Sequence, residues 1–405
     1  MTIEEYEKIL SYLREVIKGT RWEGEVYTVG GCLRDGLMGH DIHDVDLAVH
    51  VPDGGVLFPL WLEEQGLTLQ PPTLYRRFSS SRLRLKAFPD DEIEVVQTRR
   101  EQYTDENSRN PEVCFGSLMD DCERRDLTIN SLYQNVTTGE LLDLTGRGVD
   151  DIKHRRIRTP MAPDDTYSDD PIRILRTLRF AVRYGWKIPD DVWDAMKANA
   201  PRMRIVRRPR VSTEFEKMME SNDPVKLLRK MKEIGVIFRV LPELCNLYRV
   251  RDHTRREEVG PNGALPTLWD VTLERLAEVV GSEEDSLEAR FAALFSQFHR
   301  IRIPYGESRR EKDRRDKEGK PERRPRRTHG RGAVIETALK RLMYDRPFIK
   351  SVKALLPPVP PMPPTPKVNK SAASVAGAEG EVKKKKKKRR RNRRSKKKPA
   401  EGGGE

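Results

Sequence analysis

The chain has 405 residues, room for two or three compact units rather than one. Of its 78 basic and 64 acidic residues, 16 and 4 fall from Lys367 onward, so that last segment carries +12 of the net +14 and everything before it only +2. A body so nearly neutral excludes a diffuse electrostatic grip on nucleic acid and leaves contact to local patches, while the tail is a separate device.

Four scattered cysteines (Cys32, Cys114, Cys122, Cys245) show no CxxC or Cys/His metal spacing and fit free thiols in a reducing compartment. No apolar run approaches the ~20 residues a membrane span needs, so no membrane association is expected.

Residues 3–18 place Ile3, Tyr6, Ile9, Leu10, Leu13, Val16 and Ile17 at helical spacing, which predicts an amphipathic helix. Its Glu-bearing start has no Arg-rich or secretory pattern; nothing there argues for import, and a mitochondrial location stays open. A short apolar run, Val26 to Val29, meets Gly30-Gly31 and a second helical stretch near Leu33. Val45 to Val51 predicts a strand with aspartates at its mouth. Arg82 to Phe88 and Glu92 to Thr98 predict two more, separated by a turn at Pro89-Asp90-Asp91.

After Pro171 the period changes. Ile172, Leu175, Leu178 and Val182 recur at helical spacing, and similar patterns persist through Leu228 and Leu273 to Phe298. The expected class is therefore α+β: a small mixed-sheet head over 1–150, then an all-helical neck and body over 151–250 and 251–350. Residues 306–332 are too polar to bury a core, and a short helix is expected from Val334 to Tyr344. Over 351–405 the Pro357–Pro366 segment reads as an extended linker and Lys383–Lys398 as a basic run, disordered in isolation. That run suggests nuclear localisation, beside or instead of the cytoplasm, or a non-specific grip on RNA. No internal repeat is visible.

The strongest local feature is Gly30-Gly31-Cys32-Leu33-Arg34-Asp35 followed by His43-Asp44-Val45-Asp46. Paired glycines between strand and helix allow a tight turn and a close approach to phosphate, which Arg34 can reach as a cation. Asp44 and Asp46, two apart at a strand start, share a face, and two such acids repel unless a hard cation, Mg²⁺ or Mn²⁺, lies between them. A two-metal site needs a further carboxylate. Glu94 is the candidate because Ile93 and Val95 would face a core; Asp41 lies off the pairing.

In Arg124-Arg125-Asp126-Leu127-Thr128-Ile129-Asn130, Arg125 can clamp a phosphate and Asp126 or Asn130 can bond sugar hydroxyls. In Asp169-Asp170-Pro171-Ile172-Arg173, Pro171 suits the first helical position with Asp170 as its cap, and Arg173, Arg176 and Arg179 form a basic stripe. An acceptor-only Asp170 beside a donor-only Arg173 complements the edges of adenine and cytosine, whereas guanine and uracil present the reversed order. One residue pair can thus select A and C without a nucleic-acid template.

Together these segments resemble the class II CCA-adding enzymes and bacterial-type poly(A) polymerases of the DNA polymerase beta superfamily, over roughly residues 25 to 245. The resemblance also rests on Asp143 to Gly146 continuing to Asp151, and on Arg210-Val-Ser-Thr-Glu214. It implies that Asp44 and Asp46 bind metals and that Gly31, Arg34 and Arg125 contact an incoming triphosphate, with Gly30, Asp35, Asp126 and Asn130 in the same nucleotide site. Asp170 and Arg173 would be the amino-acid template, helped by Arg176 and Arg179.

The implied activity is template-independent addition of C and A to a tRNA 3′ end from CTP and ATP. Poly(A) synthesis, partial end addition, or a non-catalytic RNA-binding assembly role are the alternatives. No basic-aromatic segment of the poly(A) polymerase type follows the first strand, which puts CCA addition first. Two departures stand out: Asp169 where the family usually has Glu, and Pro209 where it usually has an acid.

Overall fold

A computed structural model describes residues 1–102, 112–255, 257, 264–301 and 331–358. Helix α1 (Ile3–Ile17) starts at Thr2, whose side chain accepts from the Glu5 amide while Glu5 reaches back to the Thr2 amide; Tyr6, Ile9, Leu10, Leu13 and Ile17 are buried along one face. After β1 (Val26–Val29) and α2 (Gly31–Leu37), β2 (Val45–Val49) leads into α3 (Gly54–Glu64). Then follow β3 (Thr73–Tyr75), β4 (Ser80–Leu85), β5 (Phe88–Gln97), the pair β6 (Arg99–Gln102) and β7 (Glu112–Phe115), α4 (Leu118–Glu123), β8 (Tyr133–Asn135) and β9 (Leu141–Leu142).

Seven strands form one sheet in the order β3-β4-β5-β2-β1-β8-β9. Strands β2 and β5 run parallel and the other neighbours antiparallel. Strand period decides what each face carries. Val45, Leu47, Val49, Ile93 and Val95 join α1 and α3 in the head core. The alternate residues, Asp46 and Glu94 among them, therefore point away from that core.

The turn between β4 and β5 is not at Pro89–Asp91. Pairing resumes at Leu85 with Phe88, so the chain reverses at Lys86-Ala87 and Phe88–Asp91 belong to the strand. Phe88 sets this register by packing edge-on against Tyr12, with ring centroids 5.6 Å apart.

Among the described residues no strand follows β9. The helices are α5 (Gly148–Lys153), α6 (Pro163–Asp169), α7 (Ile172–Tyr184), α8 (Asp190–Asn199), α9 (Arg208–Met219), α10 (Pro224–Glu233), α11 (Ile237–Val240), α12 (Cys245–Arg249), α13 (Leu268–Val279), α14 (Leu287–Leu294), α15 (Arg331–Arg341) and α16 (Arg346–Ala354). From α6 onward they share one core running from Tyr167 to Val352, while Val149 and Ile152 of α5 pack against the head core. The helix expected over Val334–Tyr344 begins at Arg331, ends at Arg341 and is followed by a second, α16. Pro209 does not disturb α9. It sits in the first turn, where its missing N–H has no intrahelical acceptor to lose.

Head and helices meet in a small cluster of Leu127, Ile129, Ile157, Phe180 and Ala181. The Asp143–Gly146 segment caps α5: Asp143 accepts from the Val149 amide at 3.0 Å, and Gly146 takes φ +64°. Asp151 is fully buried and accepts from Thr128 at 2.6 Å and from Arg158 at 2.7 Å. Met1–Pro357 make one compact unit. Residues 306–330, most of the proline-rich segment and the whole basic run lie outside the described residues. The four cysteines are unpaired thiols, and no described helix is long and apolar enough to cross a membrane.

Candidate active site

A cleft of about 1440 Å³ opens between the sheet face opposite α1 and the helices α7 and α9. Every residue assigned to catalysis, metal or nucleotide in the sequence lines it: Gly30, Gly31, Arg34, Asp35, Asp44, Asp46, Glu94, Arg125, Asp126, Asn130, Asp170, Arg173, Arg176 and Arg179. Asp41 is exposed and does not.

On the sheet, Asp46 pairs in register with Glu94, and Glu94 with Arg82 on β4. Asp44 is exposed just before β2. Burial, then the Glu94 and Asp44 carboxylates, push Asp46 up to about 6, against the pull of Arg125 and Arg82. Glu94 is half-exposed, with Arg82 3.6 Å away.

Gly30 takes φ +79°, and a Cβ there would lie 3.4 Å from Arg125 Nη1 and 3.8 Å from Asp46 Oδ2. The missing side chain leaves a hollow between a cation and an acid. Among the described residues no three His, Cys, Asp or Glu side chains enclose a metal by themselves. The all-oxygen donor set beside that hollow instead fits the open Mg²⁺ arrangement, in which one or two carboxylates share the ion with substrate phosphates.

Arg34, Arg125, Arg173, Arg176, Arg179 and Arg210 of the cleft are each held by a partner. Arg34, 5% exposed, donates to both oxygens of Asp35 at 2.8 and 2.7 Å and to Asn130 at 2.5 Å, and lies 4.9 Å from the Phe180 ring centroid. Tyr184 donates to Asp35 at 3.1 Å. Arg125 donates to Asp121 at 3.0 Å and to Tyr133 at 3.0 Å. Burial opposes ionisation of Asp121, but Arg124 and Arg125 override it and hold the acid well below the usual carboxylate range. Arg176 donates to Asp126 at 2.7 Å, and Asn130 does so at 3.0 Å. Burial would raise Asp126, yet Arg176 and Asn130 bring it to about 2. Asp35 and Asp126 are thus engaged as counter-ions of Arg34 and Arg176.

Asp170 departs from its expected role as the cap of α7. Asp170 is extended, Pro171 occupies the cap position of α7, and the Ile172 amide lies 3.4 Å from Asp170 Oδ1. Its carboxylate is gripped by Arg210 at 3.2 and 2.6 Å. A bidentate guanidinium outcompetes one peripheral amide. Arg173, 7% exposed, donates to the backbone carbonyls of Thr166 and Arg124, which spends two of its five N–H groups. Arg179 donates to Glu214 at 2.5 Å. The arginine stripe is therefore an anchored cleft wall.

Residues 26–158 match the family described as Poly A polymerase head domain, and residues 185–247 match the Probable RNA and SrmB- binding site of polymerase A. Over these residues the chain carries the head and RNA-binding regions of the CCA-adding enzyme and poly(A) polymerase family. It is 28% identical over 260 residues to the tRNA nucleotidyltransferase cca1 of Schizosaccharomyces pombe, covering 59% of this chain and 51% of that one. It is 27% identical over 297 residues to poly(A) polymerase I of Haemophilus influenzae, covering 71% and 60%. The chain thus spans about half the length of the first of these relatives. A solved CCA-adding enzyme in complex with ATP shares the fold at TM-score 0.54 and 22% identity, over 77% of this chain and 66% of that one.

Sequence reasoning missed Asp121 and Tyr133 as the anchors of Arg125, and quoted Arg210 and Glu214 only as a motif. It also passed over Arg76-Arg77-Phe78, a basic-aromatic run further along the chain, two of whose side chains, Arg77 and Phe78, line the cleft. Adjacent cations and an aromatic were the available signal.

Proposed function

We propose that this chain extends an RNA 3′ end without a nucleic-acid template, adding C and A to tRNA from CTP and ATP. One observation carries the reading: the acidic strand face of Asp44, Asp46 and Glu94 lines the same cleft as the Asp170–Arg173 pair, with Gly30, Gly31, Arg34 and Arg125 among its walls. Arg34 and Arg125 would take the triphosphate, and Asp170 and Arg173 the base edge. The 3′ hydroxyl would attack the α-phosphorus, forming a P–O bond while the bond to pyrophosphate breaks. Mg²⁺ or Mn²⁺ held by Asp44 and Asp46 would supply charge stabilisation for that transfer.

In this reading the head over 1–150 carries the chemistry and residues 151–250 select the base. The basic run is proposed to add RNA affinity and a nuclear address. Poly(A) synthesis is the second reading, favoured by the match to the Haemophilus influenzae polymerase over 71% of this chain. The test supplies purified protein with tRNA lacking its last three nucleotides and each triphosphate separately, then sequences the products. Defined CCA ends support the first reading and long A tracts the second. No metal-dependent incorporation overturns both and leaves an RNA-binding assembly role.

A further inference from the structure

Across the sheet face the order of side chains is informative. Gly30 and Arg125 lie to one side of Asp46; Glu94 and then Arg82 lie to the other, following the strand order β1-β2-β5-β4. If the triphosphate occupies the Gly30 side, in-line displacement requires the attacking hydroxyl to approach from away from the leaving pyrophosphate. The side of the acids left for it is that of β4 and the turn that precedes it, Arg76–Phe78.

That turn has an unusual build. Phe78 is 48% exposed although it lines a polar cleft, and the Arg77 guanidinium lies 5.8 Å from its ring centroid. Among the described residues Arg77 has no acidic partner, unlike Arg34, Arg125, Arg176 and Arg179 opposite. The next residue, Ser79, is buried with φ +41°, a left-handed conformation that a non-glycine residue adopts at a cost. The surroundings enforce it. The Ser79 amide donates to the Arg76 carbonyl at 3.2 Å, its carbonyl accepts from the Gln97 amide at 3.1 Å, and Gly55 of α3 packs so closely that a Cβ there would meet the Ser79 carbonyl at 1.9 Å. A strained turn fixed on three sides and presenting an aromatic face with a bare cation is a built platform rather than a loose loop.

We infer that this platform seats the 3′-terminal nucleotide of the RNA: Phe78 stacks on its base and Arg77 contacts its phosphate. The assignment rests on the nucleotidyltransferase reading above and adds a subsite to it. Stacking suits the task, because the terminal base changes as the end grows and every base has a π-face. The platform is thus indifferent to sequence, whereas the opposite wall is selective.

The test compares wild type with Phe78→Ala, Phe78→Tyr and Arg77→Ala in single-nucleotide incorporation. Expected is a rise of about tenfold in KM for RNA with Phe78→Ala, in line with removal of one base–aromatic stack, with KM for ATP unchanged and Phe78→Tyr close to wild type. Arg77→Ala should raise KM for RNA and flatten its salt dependence. An increase in KM for ATP with RNA unaffected overturns the assignment. A second arm needs no catalysis. In Phe78→Trp, fluorescence in excess of the wild-type signal should be quenched by a short single-stranded RNA and not by ATP. Quenching without any incorporation by the wild type would sink the enzymatic reading and keep the RNA seat; incorporation without quenching would do the reverse.

Discussion

Arg210 and Asp170, forty residues apart, meet through both terminal guanidinium nitrogens and both carboxylate oxygens. The acceptor edge proposed to read the base is therefore already orientated, and Arg210 is the group that aims it. Arg210→Ala should leave Asp170 to rotate in water. We expect selectivity for A and C over G and U to fall roughly tenfold, the scale of one charge-assisted hydrogen bond. The measure is kcat/KM for all four triphosphates; unchanged ratios would show that Arg210 has no part in base choice.

Asp46 sits among like charges. Asp46→Asn removes that repulsion and, in the proposed function, a metal ligand. Nucleotide addition should fall by about a thousandfold or more. Without divalent ions the variant should melt a few degrees higher, ~2 °C for a chain of this size. The thermal shift that Mg²⁺ gives the wild type should vanish. Addition at a tenth of the wild-type rate or better would remove Asp46 from the metal site.

Asp126 supplies a pH dependence with a definite sign. Its carboxyl is lowered from 3.8 to about 2 in the folded chain, with Arg176 and Asn130 overcoming the effect of burial. The stabilisation is complete above pH ~4 and disappears as pH falls through ~2, amounting to about 2 kcal/mol. Urea unfolding of wild type and Asp126→Asn across this window should show curves that converge at the acid end. A constant gap between them would contradict the buried ion pair.

Truncation after Pro366 removes 16 basic residues. RNA affinity should drop mainly at low salt, and the slope of log K against log salt should flatten by ~0.7 for each phosphate that the tail no longer neutralises. The rate at saturating RNA should hold, because the proposed catalytic and base-reading residues lie before residue 215. An identical slope would mean that the tail does not touch RNA.

What the sequence revealed and what it hid divide along a physical line. Period-two alternation in Val45–Val49 and Ile93–Val95 was enough to put Asp46 and Glu94 on a common face, since core burial of one set dictates the direction of the other. The change to helical period after Pro171 was equally visible. Pairings over long sequence separations were not. Nothing local to Arg210 names Asp170, forty residues away, whereas Asp121 stands only four residues before Arg125, a spacing the sequence did display. The misplaced β4–β5 turn has the same origin: Pro89-Asp90-Asp91 is turn-like in composition, but the packing of Phe88 on Tyr12 of α1 accompanies a reversal at Lys86-Ala87, three residues before the expected start.

Five arginines of the cleft already hold a carboxylate of the same chain: Arg34 with Asp35, Arg125 with Asp121, Arg176 with Asp126, Arg179 with Glu214 and Arg210 with Asp170. Binding at that wall is consequently a substitution reaction, in which a ligand must displace internal anions rather than fall into an open field. A monodentate anion such as inorganic phosphate makes one attachment and breaks another. A nucleoside triphosphate, the proposed ligand, would engage phosphate and base ends together, and a chelate of that kind can offset several exchanges at once. In the proposed function the wall would therefore favour a ligand that makes several attachments at once over small anions that make only one.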